Sequence, residues 1–169
     1  HKPIDIEVLD NGNFAIHLIE TNINSTDIGS SLIFLDSNLE FVGRNQMPQI
    51  LSIELTDIAT LGNITIGITS IGWEFIYTET GTLTNRSLNL NLPYSEVLSL
   101  QPYANLLLIL TDSSLVLHDG NSVVKSVAIN YVANSTQAFV ADSLIGLRTG
   151  KTVSIYDGNL SLVDNRIIN

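Results

Sequence analysis

Residues 151–167 read KTVSIYDGNLSLVDNRI and residues 113–129 read SSLVLHDGNSVVKSVAI, two segments that place Asp-Gly-Asn between apolar-alternating runs 38 residues apart. A chain that writes one hairpin twice at a fixed spacing is building a repeat, because one small sheet cannot bury both of its faces alone and is stacked until neighbours cover each other. Looser relatives of the turn stand earlier, so that Asp36-Ser37-Asn38, Thr80-Gly81-Thr82, Asp119-Gly120-Asn121 and Asp157-Gly158-Asn159 follow one another at separations of 44, 39 and 38 residues. Asp-Gly and Gly-Asn steps favour the positive φ that tight hairpin turns require.

No apolar pattern of helical period is sustained, whereas period-2 and short apolar runs recur throughout. The expected strands are Ile4–Leu9, Phe14–Ile19, Ser31–Leu35 and Leu39–Gly43, then Ile50–Leu55, Ile64–Thr69, Trp73–Thr78 and Leu83–Leu90. Two further sets are Val97–Leu100, Leu106–Leu110, Leu115–His118 and Val123–Ile129, and Gln137–Ala141, Leu144–Arg148, Val153–Tyr156 and Leu160–Ile167. The pattern predicts one all-β domain over 1–169, with four blade-like four-stranded antiparallel repeats at about 4–48, 49–93, 94–131 and 132–169. A period near 40 residues with four strands per unit is that of a small β-propeller or part of one. A β-sandwich, or a piece of a larger propeller completed by another chain, is the alternative.

The two Asp-Gly-Asn hairpins resemble blades of the surface-type propeller repeats, the YVTN and quinoprotein-like groups, in which an apolar strand, an Asp-containing turn and a second apolar strand form the outer half of a blade. The bulk composition, poor in Lys and Cys and rich in Ile, Leu, Asn, Ser and Thr, resembles secreted cell-surface proteins of thermoacidophilic archaea. That resemblance implies an extracellular place.

A hydrophobic content of 44% supplies a core, while only 14% of residues are charged, against about 25% in a typical soluble domain. The surface is wetted instead by 17 Asn, 17 Ser and 14 Thr. Acidic residues number 17 against 7 basic ones, without a Lys/Arg cluster, so nucleic acid and anionic membranes are poor partners. The longest apolar run, Leu106–Leu110, is far shorter than the roughly 20 residues of a membrane span. The opening HKPIDIEV lacks a hydrophobic leader, so an exported form would be a mature or trimmed one. Absence of cysteine excludes disulfides, thiolate metal sites and a Cys nucleophile. Asn-X-Ser/Thr acceptor sites stand at Asn24, Asn63, Asn85, Asn134 and Asn159, a mild excess over the about three that this composition gives by chance.

Other residues invite chemistry and have simpler roles beside it. His1 has the copper-chelating amino group and ring of an N-terminal histidine, without a second histidine nearby in sequence. His118 and Asp119, beside Ser113 and Ser114, are adjacent on a strand and so point to opposite faces, which suits a strand-end histidine facing solvent better than a catalytic triad. Asp5 and Glu7, Glu54 and Asp57, and Glu74 and Glu79 read as polar positions of half-buried strands, although blades can bring such carboxylates together. Asp36, Asp119 and Asp157 are expected to cap turn backbone rather than bind calcium. Trp73, Phe75 and Tyr77 share one strand face and are expected to fill the space between blades. LGNITIG lacks the Lys-Ser/Thr and the helix of a phosphate loop.

These observations favour a non-catalytic extracellular protein: a glycosylated surface protein, filament subunit or adhesion module that carries N-glycans and self-associates through terminal or edge strands. No cofactor and no metal are expected. The other class is a glycan-processing hydrolase with carboxylates at a propeller axis. With so few basic partners for its carboxylates, the fold is expected to survive pH 3 and to be no less stable at pH 4 than at pH 7.

Overall fold

A computed structural model describes residues 2–21, 28–46, 55–88 and 96–168. His1 and its copper reading, Asn24, Glu54 and most of the strand expected at Ile50–Leu55 lie outside the described residues. Sixteen strands and no helix are present among the described residues. The first sheet holds β1 (Lys2–Val8), β2 (Phe14–Thr21), β3 (Ile28–Leu35) and β4 (Phe41–Gln46). The second holds β5 (Leu55–Leu61), β6 (Ile64–Thr69), β7 (Trp73–Thr78) and β8 (Leu83–Leu88). Next come β9 (Val97–Tyr103), β10 (Leu106–Thr111), β11 (Ser114–His118) and β12 (Val123–Ala128), then β13 (Thr136–Ala141), β14 (Leu144–Thr149), β15 (Thr152–Tyr156) and β16 (Leu162–Ile167). Every sheet is a separate four-stranded antiparallel meander in chain order, so the strands do not merge into the two sheets of a sandwich.

Two compact units divide the chain, residues 1–89 and 90–169, each with two blades. In the first unit, Leu9, Ala15, Leu32 and Phe34 of blade one meet Leu55, Ile58, Phe75 and Tyr77 of blade two, with Trp73 packed against the edge of this core. The rings of Phe34 and Tyr77 are tilted 46° at a centroid separation of 6.2 Å, within the range of favourable aromatic pairs. The aromatic row of β7 thus fills the space between blades. In the second unit, Leu108, Leu110, Leu115 and Leu117 of blade three close on Ile145, Leu147, Tyr156 and Leu160 of blade four.

Blades differ in how many faces they bury. β6, β10 and β11 are buried almost throughout, residue after residue, as near-continuous apolar strands are when both faces are covered. β2 alternates, with Ala15 and His17 buried and Phe14, Ile16 and Leu18 only partly so. On that second face of blade one the register aligns Val8, Phe14, Leu35 and Phe41 in one row and Ile6, Ile16, Ile33 and Arg44 in the next. Ile6, Val8 and Phe41 there are 56, 55 and 66% exposed. On the corresponding face of blade four, Phe139, Gly146, Ile155 and Asp164 form one row and Gln137, Arg148, Val153 and Arg166 the other.

The outer hairpins share a device. Asp36, Thr78 and Asp157 each open a five-residue turn in which the first N–H donates to the fifth carbonyl. The first side-chain oxygen accepts from the third and fifth N–H groups. The fourth residue takes positive φ: Leu39 at 66°, Gly81 at 82° and Leu160 at 53°. Blade three departs from this, because its turn closes one residue earlier from Asp119 N–H to the Ser122 carbonyl and bends at Gly120, φ 91°. The two Asp-Gly-Asn segments therefore build different turns. All three turn aspartates do cap backbone.

Candidate functional site

β1 and β5, the first strands of blades one and two, lie side by side. Asp5 stands opposite His17 and Glu7 opposite Ala15, on the face that turns toward blade two. From β5, the Thr60 hydroxyl donates to the Val8 carbonyl at 3.2 Å and lies 3.5 Å from Glu7 Oε2. Asp10 N–H donates to the Gly62 carbonyl at 3.2 Å, and Asn11 N–H to Asn63 Oδ1 at 3.1 Å. Asn11 Nδ2 also donates to Glu79 Oε2.

Carboxylates from both strands act on one another here. Burial pushes the Glu7 carboxyl from the usual 4.5 to about 7, and the charges of Asp5 and Asp57 push in the same direction against the Thr60 hydrogen bond. Glu7 therefore exchanges a proton near neutrality, while its neighbours supply the negative charge. His17 is fully buried, and that burial lowers its pKa against the pull of Asp5. Its Nε2 lies 3.2 Å from Ser30 Oγ, which also accepts Leu55 N–H at 2.9 Å. Asp5 and Asp57, 52 residues apart, are thus joined with Glu7 in one acidic corner. Among the described residues no group of three His, Cys, Asp or Glu side chains could hold a metal ion.

Two sequence readings need correction. His118 does not face solvent: it is 0% exposed, since β11 lies between β10 and β12 and is covered on both faces, and its Nδ1 accepts the Gly120 N–H at 3.1 Å. Glu74 is likewise 1% exposed rather than at a half-buried polar position. Periodicity could not reveal either, because β11 is covered on both faces and Glu74 is buried on a face where Ile76 and Thr78 are only partly so.

Of the acceptor asparagines, Asn63, Asn134 and Asn159 lie in exposed turns, Asn134 with φ 59°. Asn85 stands on β8 opposite Ile76. The Asn63 side chain engages Asn11 through its oxygen, and the nitrogen is the atom that a glycan would carry. In the second unit, a groove of about 430 Å³ runs between β9 and β13. Ser99, Gln101, Thr136 and Gln137 line it beside Leu98 and Phe139, and Gln101 Nε2 donates to the Ala138 carbonyl at 2.8 Å. Its lining carries no charge.

No protein-family model matches the chain, and no curated protein matches it in sequence. Solved structures do resemble it. BamB from Moraxella catarrhalis aligns at TM-score 0.67 and 10% identity, over 97% of this chain and 48% of that one. The Pan2 WD40 domain of Neurospora crassa aligns at TM-score 0.66 and 8% identity, over 99% and 66%. Chaetomium thermophilum Raptor gives TM-score 0.69 and 12% identity, over 96% of this chain and 15% of that one. This chain spans about half the length of the BamB structure, and at such identities the resemblance is one of fold: four antiparallel blades of the β-propeller type.

Proposed function

We propose that this chain is a non-catalytic interaction module of an extracellular surface, a glycosylated surface protein, filament subunit or adhesion domain. The observation that carries the reading is the apolar second face of blade one, where Ile6, Val8 and Phe41 stand in water although they continue rows of hydrophobic residues. Contiguous apolar patches of this kind mark interaction sites. Acceptor asparagines at the exposed turns 63, 134 and 159 and the surface rich in Asn, Ser and Thr support a glycosylated exterior. So does the resemblance of the composition to surface proteins of acid-living archaea. Intact mass of the protein isolated from the cells that make it, followed by glycopeptide mapping, tests this. Hexose increments on Asn63, Asn134 or Asn159 are expected, and unmodified asparagines at all five acceptor sites would overturn the glycoprotein reading.

A hydrolase is the second reading, favoured by Glu7, whose carboxyl is pushed up to about 7 beside Asp5 and Asp57. A general acid of that kind is what glycoside cleavage needs. Turnover of aryl glycosides that disappears in Glu7→Gln would establish it, whereas no turnover between pH 4 and pH 8 would dismiss it.

A further inference from the structure

We infer that β16 of one chain pairs with β16 of a second copy about a two-fold axis, in the register that sets Asn165 opposite Asn165 of the partner subunit, so that two outer edges join into one sheet. This rests on the reading of the chain as an interaction module and names its first partner. β16 is the last strand of its sheet among the described residues, and such an edge is normally blunted by charge, proline or a covering segment. Here one Asp and one Arg stand among Leu162, Val163, Ile167 and Ile168, all exposed, Val163 and Ile167 by 61 and 77%.

The edge presents groups that can pair. Ile168 N–H donates to the Lys151 carbonyl at 2.7 Å, and bonded residues alternate along an antiparallel strand, so Asp164 and Arg166 bond β15 while Asn165 and Ile167 turn their N–H and carbonyl groups away from it. Asn165 N–H accordingly donates to a side chain, Asp164 Oδ1 at 2.8 Å, in place of a neighbouring strand.

Charge selects the register. Opposite residues of an antiparallel pair share their bonding state, so a two-fold pairing through the outward groups is centred on a residue. A centre at Asp164 sets two carboxylates opposite each other and a centre at Arg166 two guanidinium groups, and like charges so placed are destabilising. Centred on Asn165, the segment LVDNRII is its own complement. Asp164 then faces the partner's Arg166 and Arg166 the partner's Asp164, while Val163 faces the partner's Ile167 and Leu162 the partner's Ile168. Within one chain Arg166 Nε already donates to Asp164 Oδ2 at 2.7 Å, with the two side chains 80 and 42% exposed, so the charges exchange partners without either being stranded. A two-fold axis uses each edge once and ends the assembly at two copies. Two strands of this length bury less than the roughly 1,200 Å² below which complexes are weak, so the dimer is a reversible one.

Sedimentation velocity of the intact 169-residue chain from about 1 to 500 µM should show 18.4 kDa chains passing to a species of twice that mass, with half association on the order of 100 µM. Asp164→Arg and Arg166→Asp should each weaken the dimer about tenfold, since every two-fold register then opposes like charges. An equimolar mixture of the two variants should regain the parent's association, because each strand of one meets unlike charges on the other. Asn165→Pro removes an outward N–H and no bond of the sheet, so it should abolish the dimer and keep the fold, which circular dichroism checks. A single 18.4 kDa species at every concentration, a dimer that either charge variant forms alone as readily as the parent, or one that persists in Asn165→Pro overturns the inference. A monomer bearing glycans would defeat the pairing and leave the surface reading intact, and a dimer without glycans would do the reverse.

Discussion

The ring of Phe34 occupies the space that a Cβ on Gly81 would enter, its Cδ2 atom 2.6 Å from that position. Gly81 belongs to the outer turn of blade two and Phe34 to the core strand of blade one, so one glycine joins two blades while holding φ at 82°. Gly43, opposite Phe34 on β4, is tied to the same turn, since its Cβ would stand 2.2 Å from the Thr80 carbonyl oxygen. Gly81→Ala should destabilise by about 3 kcal/mol, combining a left-handed backbone with overpacking. In a Phe34→Leu background the steric part should shrink, and equal losses in both backgrounds, measured by urea unfolding, would refute the contact.

Leu39 and Leu160 occupy the same turn position with opposite surroundings, 65 and 5% exposed. Leu39→Gly should stabilise by about 0.5 kcal/mol, since relief of the left-handed backbone outweighs the entropy of a new glycine. Leu160→Gly should cost about 3 kcal/mol, because the lost burial exceeds that relief. Melting midpoints that move in the same direction would contradict this account.

Glu7 sets a pH dependence of known sign. A carboxyl whose folded pKa is raised contributes stability that is complete below its unfolded value of 4.5 and is lost as pH rises through about 7. Glu7→Gln should therefore melt higher than the parent at pH 8 and level with it at pH 4. His17 acts the other way: its lowered pKa gives stability present above the ordinary 6.5 and lost as pH falls, and comparing the two proteins at each pH cancels it. A difference independent of pH would show that Glu7 is not held protonated.

Tyr103 at the end of β9 donates its hydroxyl to the Ser143 carbonyl at 2.8 Å and stands 2.8 Å from the position of a Cβ on Gly158. Tyr103→Phe should cost about 1 kcal/mol for the lost hydrogen bond. Gly158→Ala should be better tolerated in that background than in the parent, and strict additivity in the double-mutant cycle would show that the two residues do not meet.

The strand runs and their grouping into four sheets were legible in the sequence because each run is short, β-rich and closed by an oxygen-capped turn. β5 was less so: Asp57 interrupts the apolar run of Leu55–Leu61 at a bulge, and the sequence pattern did not mark that strand, the expected Ile50–Leu55 meeting the described residues only at Leu55. Asp-Gly-Asn at 119 and at 157 looked like one turn twice, yet the residues after it decide the geometry, with Ser122 closing the first turn and Leu160 entering the core in the second. The meeting of Glu7 with Asp57 depends on how two sheets pack, and no local pattern records it.

Unequal covering of the blades orders how the molecule opens. Backbone amides exchange with solvent at rates set by the free energy of exposing them. Those of β10 and β11, under layers of side chains on both sides, can open only with most of the fold. The amides of β1 and β16 lie at sheet edges beside Val8 and Ile167, 55 and 77% exposed, and they can fray by themselves. A protease therefore meets β1 and β16 long before it reaches β10 and β11.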